Sequence, residues 1–138
     1  MLVPNDSGPR VAVEPVALRP GASADEWLVT WRIADLGDQP LSLLAAWQPH
    51  GRFRAAERSF QPPPRLQPGE EARLPLPVTC AGTPGEVVEN AFVILRVRWG
   101  DSLWRVLTRL TLRFGDDRVP TIVPEVTTTQ PIGFAADA

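Results

Sequence analysis

The sequence predicts an all-β fold, an antiparallel β-sandwich of about seven strands followed by an extended C-terminal arm. Three observations carry this expectation. Apolar and polar residues alternate with period two through Asn90–Phe114; shorter segments repeat the alternation between clusters of proline and glycine; and no segment sustains a helical period.

The longest patterned stretch, NAFVILRVRWGDSLWRVLTRLTLRF, predicts a hairpin. Val93, Leu95, Val97 and Trp99 alternate with Phe92, Ile94, Arg96 and Arg98; beyond Gly100-Asp101, Trp104, Val106, Thr108, Leu110, Leu112 and Phe114 alternate with Leu103, Arg105, Leu107, Arg109, Thr111 and Arg113. A two-residue turn at Gly100-Asp101 sets Val97 opposite Trp104, Leu95 opposite Val106 and Val93 opposite Thr108, so both apolar sets share one face. A slip of one residue would expose the whole set, which fixes the register.

The other elements follow in chain order. Residues 1–9 are rich in Pro, Gly, Asp and Asn, bury little, and are expected to be flexible. The sandwich spans residues 10–114. Arg10–Leu18 is a first strand, confined to an edge by Pro15. Glu26–Ala34 is a second, with Trp27, Val29, Trp31 and Ile33 on one face. Leu41–Trp47 lies between Pro40 and Pro49, too short for a stable helix, and is read as a strand with Leu41, Leu43, Ala45 and Trp47 inward. His50–Phe60 is a strand or an irregular crossover, and Gln61–Gly69, with three consecutive prolines, is an extended connection. Glu71–Cys80 sets Ala72, Leu74, Leu76, Val78 and Cys80 on one face; Pro75 and Pro77 deprive one lateral side of donors, which predicts an edge strand. Residues 115–138 carry Pro120, Pro124 and Pro131 among apolar residues and are expected to leave the sandwich as an arm. It would fold back over Phe92, Ile94 and Leu107, bringing Asp116, Asp117 and Glu125 to the arginines, or reach a second subunit and make a homo-oligomer.

The chemistry points away from catalysis. The chain has 138 residues, a formal net charge of −2, one Cys, one His, no Tyr, and no Lys among its 14 basic residues. Absent Lys excludes Schiff-base chemistry and a phosphate-binding P-loop, and the overall charge argues against nucleic acid as partner. Cys80 alone forms no internal disulfide, which suits a reducing compartment, and we expect a cytoplasmic protein. The opening MLVPNDSGPR has no apolar signal-peptide core, and no run approaches a membrane span. His50 has no second histidine with which to hold a metal, and Cys80 at inward parity reads as a small buried hydrophobe. Ser42, Ser59 and Ser102 lack a nucleophile context, and the carboxylates Glu70-Glu71, Asp116-Asp117, Glu86 and Glu89 lack the spacing of a calcium loop. No catalytic residue, metal or cofactor is expected.

One constellation remains. Arg96, Arg98, Arg105, Arg109 and Arg113 fall on the hairpin face opposite the core, interleaved with Phe92, Ile94 and Leu107, and Arg96 lies opposite Arg105. Arginine among apolar groups is an interface composition, and it suits an acidic or carboxylate-bearing partner. The bland reading is a solvated outer face whose Arg stems cover apolar groups. Trp99, beside the Gly100 turn, is the tryptophan expected to be exposed and is a candidate sugar platform.

Two stretches resemble a known family. WRIADLGDQPLSLLAAW is similar to the "N-x-G-x-x-P-L" corner between the second and third strands of bacterial immunoglobulin-like and fibronectin-III-like domains, and LQPGEEARLPLPV to their "L-x-P-G-E-x-x-x-L-x-L-x-V" approach to the fifth strand. The resemblance covers roughly residues 10–114. It departs from antibody-type domains in lacking paired cysteines and from adhesion-type relatives in lacking an export signal. It implies a bacterial, immunoglobulin-like sandwich that binds proteins or sugars without catalysis. The expected function is therefore a non-catalytic interaction module or accessory subunit with a protein partner; the alternative is a carbohydrate- or anion-binding domain using Trp99 or the Arg-lined face.

Overall fold

Every segment with period-two alternation forms a strand. The computed structural model describes residues 8–134. Its elements in chain order are β1 (Val11–Pro20), β2 (Glu26–Asp35), β3 (Leu41–His50), β4 (Phe53–Ser59), β5 (Arg65–Leu66), β6 (Glu71–Thr79), β7 (Val87–Trp99), β8 (Ser102–Phe114) and β9 (Pro120–Phe134). Among the described residues there is no helix, and so none long and apolar enough to cross a membrane.

All pairings are antiparallel, in the order β1-β2-β6-β4-β3-β7-β8-β9, with β5 beside β3. The two ends of this order, β1 and β9, approach each other, so the sheet curls into a nearly closed, barrel-like body. Its weakest join is between β4 and β6, which share the single register pair Arg54↔Thr79. The interior is filled from all sides: Trp31 and Ile33 of β2, Leu43 of β3, Leu95 and Val97 of β7 and Leu112 of β8 are fully buried.

The central hairpin has the expected register, with Val97↔Trp104, Leu95↔Val106 and Val93↔Thr108. Gly100 makes the turn at φ 60, where a residue with a Cβ is strained. β7 begins earlier than the alternation suggests, because a bulge between Val88 and Ala91, with Asn90 at φ 61, breaks the pattern there.

The structure corrects four expectations. There are nine strands rather than about seven. The C-terminal segment does not leave the body: β9 pairs with β8 from Phe114↔Pro120 to Ser102↔Phe134 and becomes the edge of the sheet. Its prolines are accommodated because Pro124 and Pro131 sit at the two register shifts, where the ladder is already interrupted. Asp116, Asp117 and Glu125 do not come to the arginines. Asp117 accepts a hydrogen bond from the Val119 amide at 3.0 Å, and Glu125 accepts one from the Thr111 hydroxyl at 2.8 Å. Third, β6 stands between β2 and β4 in the strand order rather than at its end, although its β4 side makes only the bridge Arg54↔Thr79, as expected for the side that Pro75 and Pro77 deprive of donors. Fourth, a bulge in β3 between Leu43 and Ala45 reverses the parity downstream, so that Ala46 and Gln48 turn inward and Trp47 turns outward beside Ile94. The expected flexibility of residues 1–9 falls mainly on residues 1–7, which lie outside the described residues, as do residues 135–138 of the C-terminal segment. Gly8 and Pro9 are buried.

Candidate functional site

The outer face of β7 and β8 assembles the predicted constellation. Across the hairpin Phe92 opposes Arg109, Ile94 opposes Leu107, Arg96 opposes Arg105 and Arg98 opposes Leu103. The neighbouring strands extend the rows: β3 sets Trp47 beside Ile94 and Ser42 beside Arg98, and β9 sets Gln130 beside Arg105, Thr128 beside Leu107 and Val126 beside Arg109. Arg98, Arg105, Arg109 and Arg113 are exposed, whereas Ile94 is buried and Phe92 and Leu107 are half-buried between them.

The facing pair Arg96 and Arg105 is relieved by geometry. Arg96 turns toward β3 and β4, where its guanidinium meets Glu57 at 3.1 Å and lies 5.5 Å from the Trp47 ring centroid. Among the described residues, Arg98, Arg105, Arg109 and Arg113 have no carboxylate partner. The arrangement is therefore a positive face with an apolar centre, suited to holding carboxylates.

The tryptophans divide differently from expectation. Trp99 is half-buried and packs edge-to-face against Trp104, with ring centroids 5.9 Å apart at 89°. It is therefore less open than its place beside the turn suggests. The outward tryptophan is Trp47, which sequence parity assigned to the core, and it forms one wall of a cleft between β4 and β6. The bulge that turns it outward has no signature in the residues around it.

His50 and Cys80 take structural roles. The His50 Nδ1 accepts the Arg52 amide at 3.0 Å. Cys80 is buried, and that burial pushes its thiol up to about 11, so it stays protonated at neutral pH. Among the described residues no group of carboxylates, histidines and cysteines is arranged to hold a metal.

Arg52 clamps the β3–β4 turn to the loop before β7. Its guanidinium donates to the Ala81 carbonyl at 3.0 Å and to Glu86 at 2.8 Å, and Glu86 also accepts the Thr83 amide at 3.0 Å. The Arg52 guanidinium first, then the Thr83 amide, hold the Glu86 carboxyl down to about 2 from its ordinary 4.5. A carboxyl depressed by folding adds stability that is complete above the unfolded value and lost as pH falls through the folded one. Its contribution should therefore disappear between pH 4.5 and about 2. Arg52→Met should flatten the fall of melting temperature across that window, and equally steep profiles for both proteins would rule the clamp out.

Comparison with protein-family models, with curated proteins and with solved structures found no match.

Proposed function

We propose that the chain is a non-catalytic, immunoglobulin-like interaction module that docks another protein on the arginine face of β7 and β8. The observation that carries this reading is the set of four exposed arginines without ion-pair partners among the described residues, ranged around Phe92, Ile94 and Leu107. Charged groups on one side of a surface steer an oppositely charged partner and set the salt dependence of its binding, while apolar groups between them supply contact area.

The strand order supports the immunoglobulin-like part of the proposal. β1, β2 and β6 lie side by side, and β4, β3, β7 and β8 follow. Immunoglobulin sandwiches divide in this way, with strands A, B and E in one sheet and C′, C, F and G in the other. The two groups here pair through Arg54 and Thr79 alone on that side. β5 and β9 are additions to that plan.

The test compares the wild-type chain with the double variant Arg105→Glu/Arg109→Glu. Both positions are exposed, so folding stability should change by no more than about 0.5 kcal/mol per site. A partner captured by the immobilised wild type, then purified and titrated, should bind the double variant at least about tenfold more weakly, with affinity falling as salt rises. Equal binding by both proteins would remove the arginine face from the interaction.

A further inference from the structure

β4 and β6 meet at one position and then diverge. β4 remains paired with β3 as far as Ser59, and β6 with β2 from Thr79 to Glu71, but beyond Arg54↔Thr79 nothing joins β4 to β6 among the described residues. The gap between them is a cleft of about 770 Å³, walled by Trp47 and by Ala55–Arg58 of β4 and reaching Ala46, Leu76 and Val78 of the interior. A volume of this size is ample for a ligand.

Gln48 borders the cleft and is 1% exposed, yet neither its Oε1 nor its Nε2 has a hydrogen-bond partner in the protein. Buried amides are almost always paired. A carboxamide presents an acceptor and donors on adjacent atoms, and the N–H and C=O of one residue in an extended strand, which lie on the same side of the chain, can satisfy both at once.

The edges facing the cleft differ in the same sense. In the regular β2–β6 ladder Pro75 opposes Thr30 and Pro77 opposes Leu28. With no N–H to give, these positions must face away from β2, so the cleft side of β6 lacks their donors and cannot carry a normal ladder. The outer strands β1 and β9 are interrupted by Pro15 and by Pro124 and Pro131. β4 has no proline, which leaves its cleft side able to pair with an added strand. Charge selects further. Arg54 and Arg58 line the cleft, are exposed, and have no carboxylate partner among the described residues, while Glu57 is taken up by Arg96 and Glu26 accepts a hydrogen bond from Ser23.

We propose that an extended acidic peptide segment of another protein inserts between β4 and β6. It parts the Arg54–Thr79 contact, adds to β4 as a strand, sets the N–H and C=O of one of its residues on the Gln48 carboxamide and turns its carboxylates to Arg54 and Arg58. This rests on the reading of the chain as a non-catalytic binding module but uses the cleft beside the arginine face, which shares Trp47 with it and does not include Arg105 or Arg109.

The full chain is used to select from a phage-displayed library of random peptides about twelve residues long, enough to span a strand. Enriched sequences are then titrated as synthetic peptides. Acidic peptides with roughly micromolar affinity are expected. Gln48→Met should weaken them at least about tenfold while leaving the melting temperature unchanged or higher, because it removes an unpaired buried amide; a merely structural Gln48 would lose stability instead. Ala56→Trp, which fills the cleft from an exposed position, should block binding whatever happens at Gln48. Arg105→Glu/Arg109→Glu should bind the peptides like the wild type, which separates failure here from failure of the arginine-face reading. The proposal is overturned if no peptide is enriched, or if the peptides bind the Gln48 and Ala56 variants like the wild type. Loss of binding in the double arginine variant alone would move the peptide to the other surface. Self-association of the wild type that Ala56→Trp abolishes would identify the occupant as a second copy.

Discussion

Trp104→Ala should destabilise the protein by about 3–5 kcal/mol, a large part of the roughly 5–15 kcal/mol that holds a domain together. The indole is 9% exposed and belongs to the main core cluster. Across β7 it opposes the fully buried Val97, across β9 it opposes Pro131, and it takes the edge of Trp99 against its ring. The start of the described chain closes over it, since a Cβ on Gly8 would come within 2.8 Å of its Cζ3. Three parts of the chain therefore lose contacts together, and neither β7 nor β9 can move in to fill the space without breaking a ladder. Urea unfolding followed at two probes measures the difference. Trp104→Phe, which keeps a ring in place, should recover more than half of it. A Trp104→Ala protein that melts within a few degrees of the wild type would mean that the inward face of β8 does not form the core.

Ending the chain after Gly115 should do more damage still. β9 lies along the whole of β8, and its removal uncovers a strand of 13 residues, SLWRVLTRLTLRF, with no proline and with Leu110 and Leu112 on its inner face. It also removes the buried-side Thr108–Thr127 hydrogen bond of 2.8 Å and the cover that Ile122 gives the core. A long unpaired edge with an apolar inner face pairs with its like. The truncated chain should lose its cooperative melting transition and appear as large assemblies in sedimentation. A truncated chain that stays monomeric and melts like the intact protein would show that β9 contributes nothing to the sheet.

The hairpin was legible because two period-two runs separated by a two-residue turn admit one register, and β2 and β6 were legible because Trp31, Ile33, Leu76 and Val78 recur at every second position. β3 was legible only up to its bulge. One extra residue at Leu44 transfers Trp47 to the outside and Gln48 to the inside, and nothing in LSLLAAWQPH marks where the extra residue goes. β9 was misread for a related reason. The prolines of this segment bar it from a sheet interior but not from an edge, and β9 places Pro124 and Pro131 at its register shifts, a choice visible only once β8 is there to pair with. The arginine face followed directly from hairpin parity. The cleft did not, because it arises where β4 and β6 fail to pair, and the segments that form it are far apart in the chain.

The order of the strands also sets how the chain finds its fold. β7, β8 and β9 are successive neighbours joined by short turns, and so are β1 with β2 and β3 with β4. These three units need only local search. The two long ladders of β3 with β7 and β2 with β6 do not: they join strands separated by several other elements, and each must close a long loop before its contacts are gained. Domains dominated by such pairings fold on the order of milliseconds to seconds rather than microseconds. The docking of the β7–β9 meander against β3 is expected to be among the slow events. Until then the meander's inner face, with Leu95, Val97, Val106 and Leu110, is open to water, and this is the interval in which the chain is most exposed to association with its own kind.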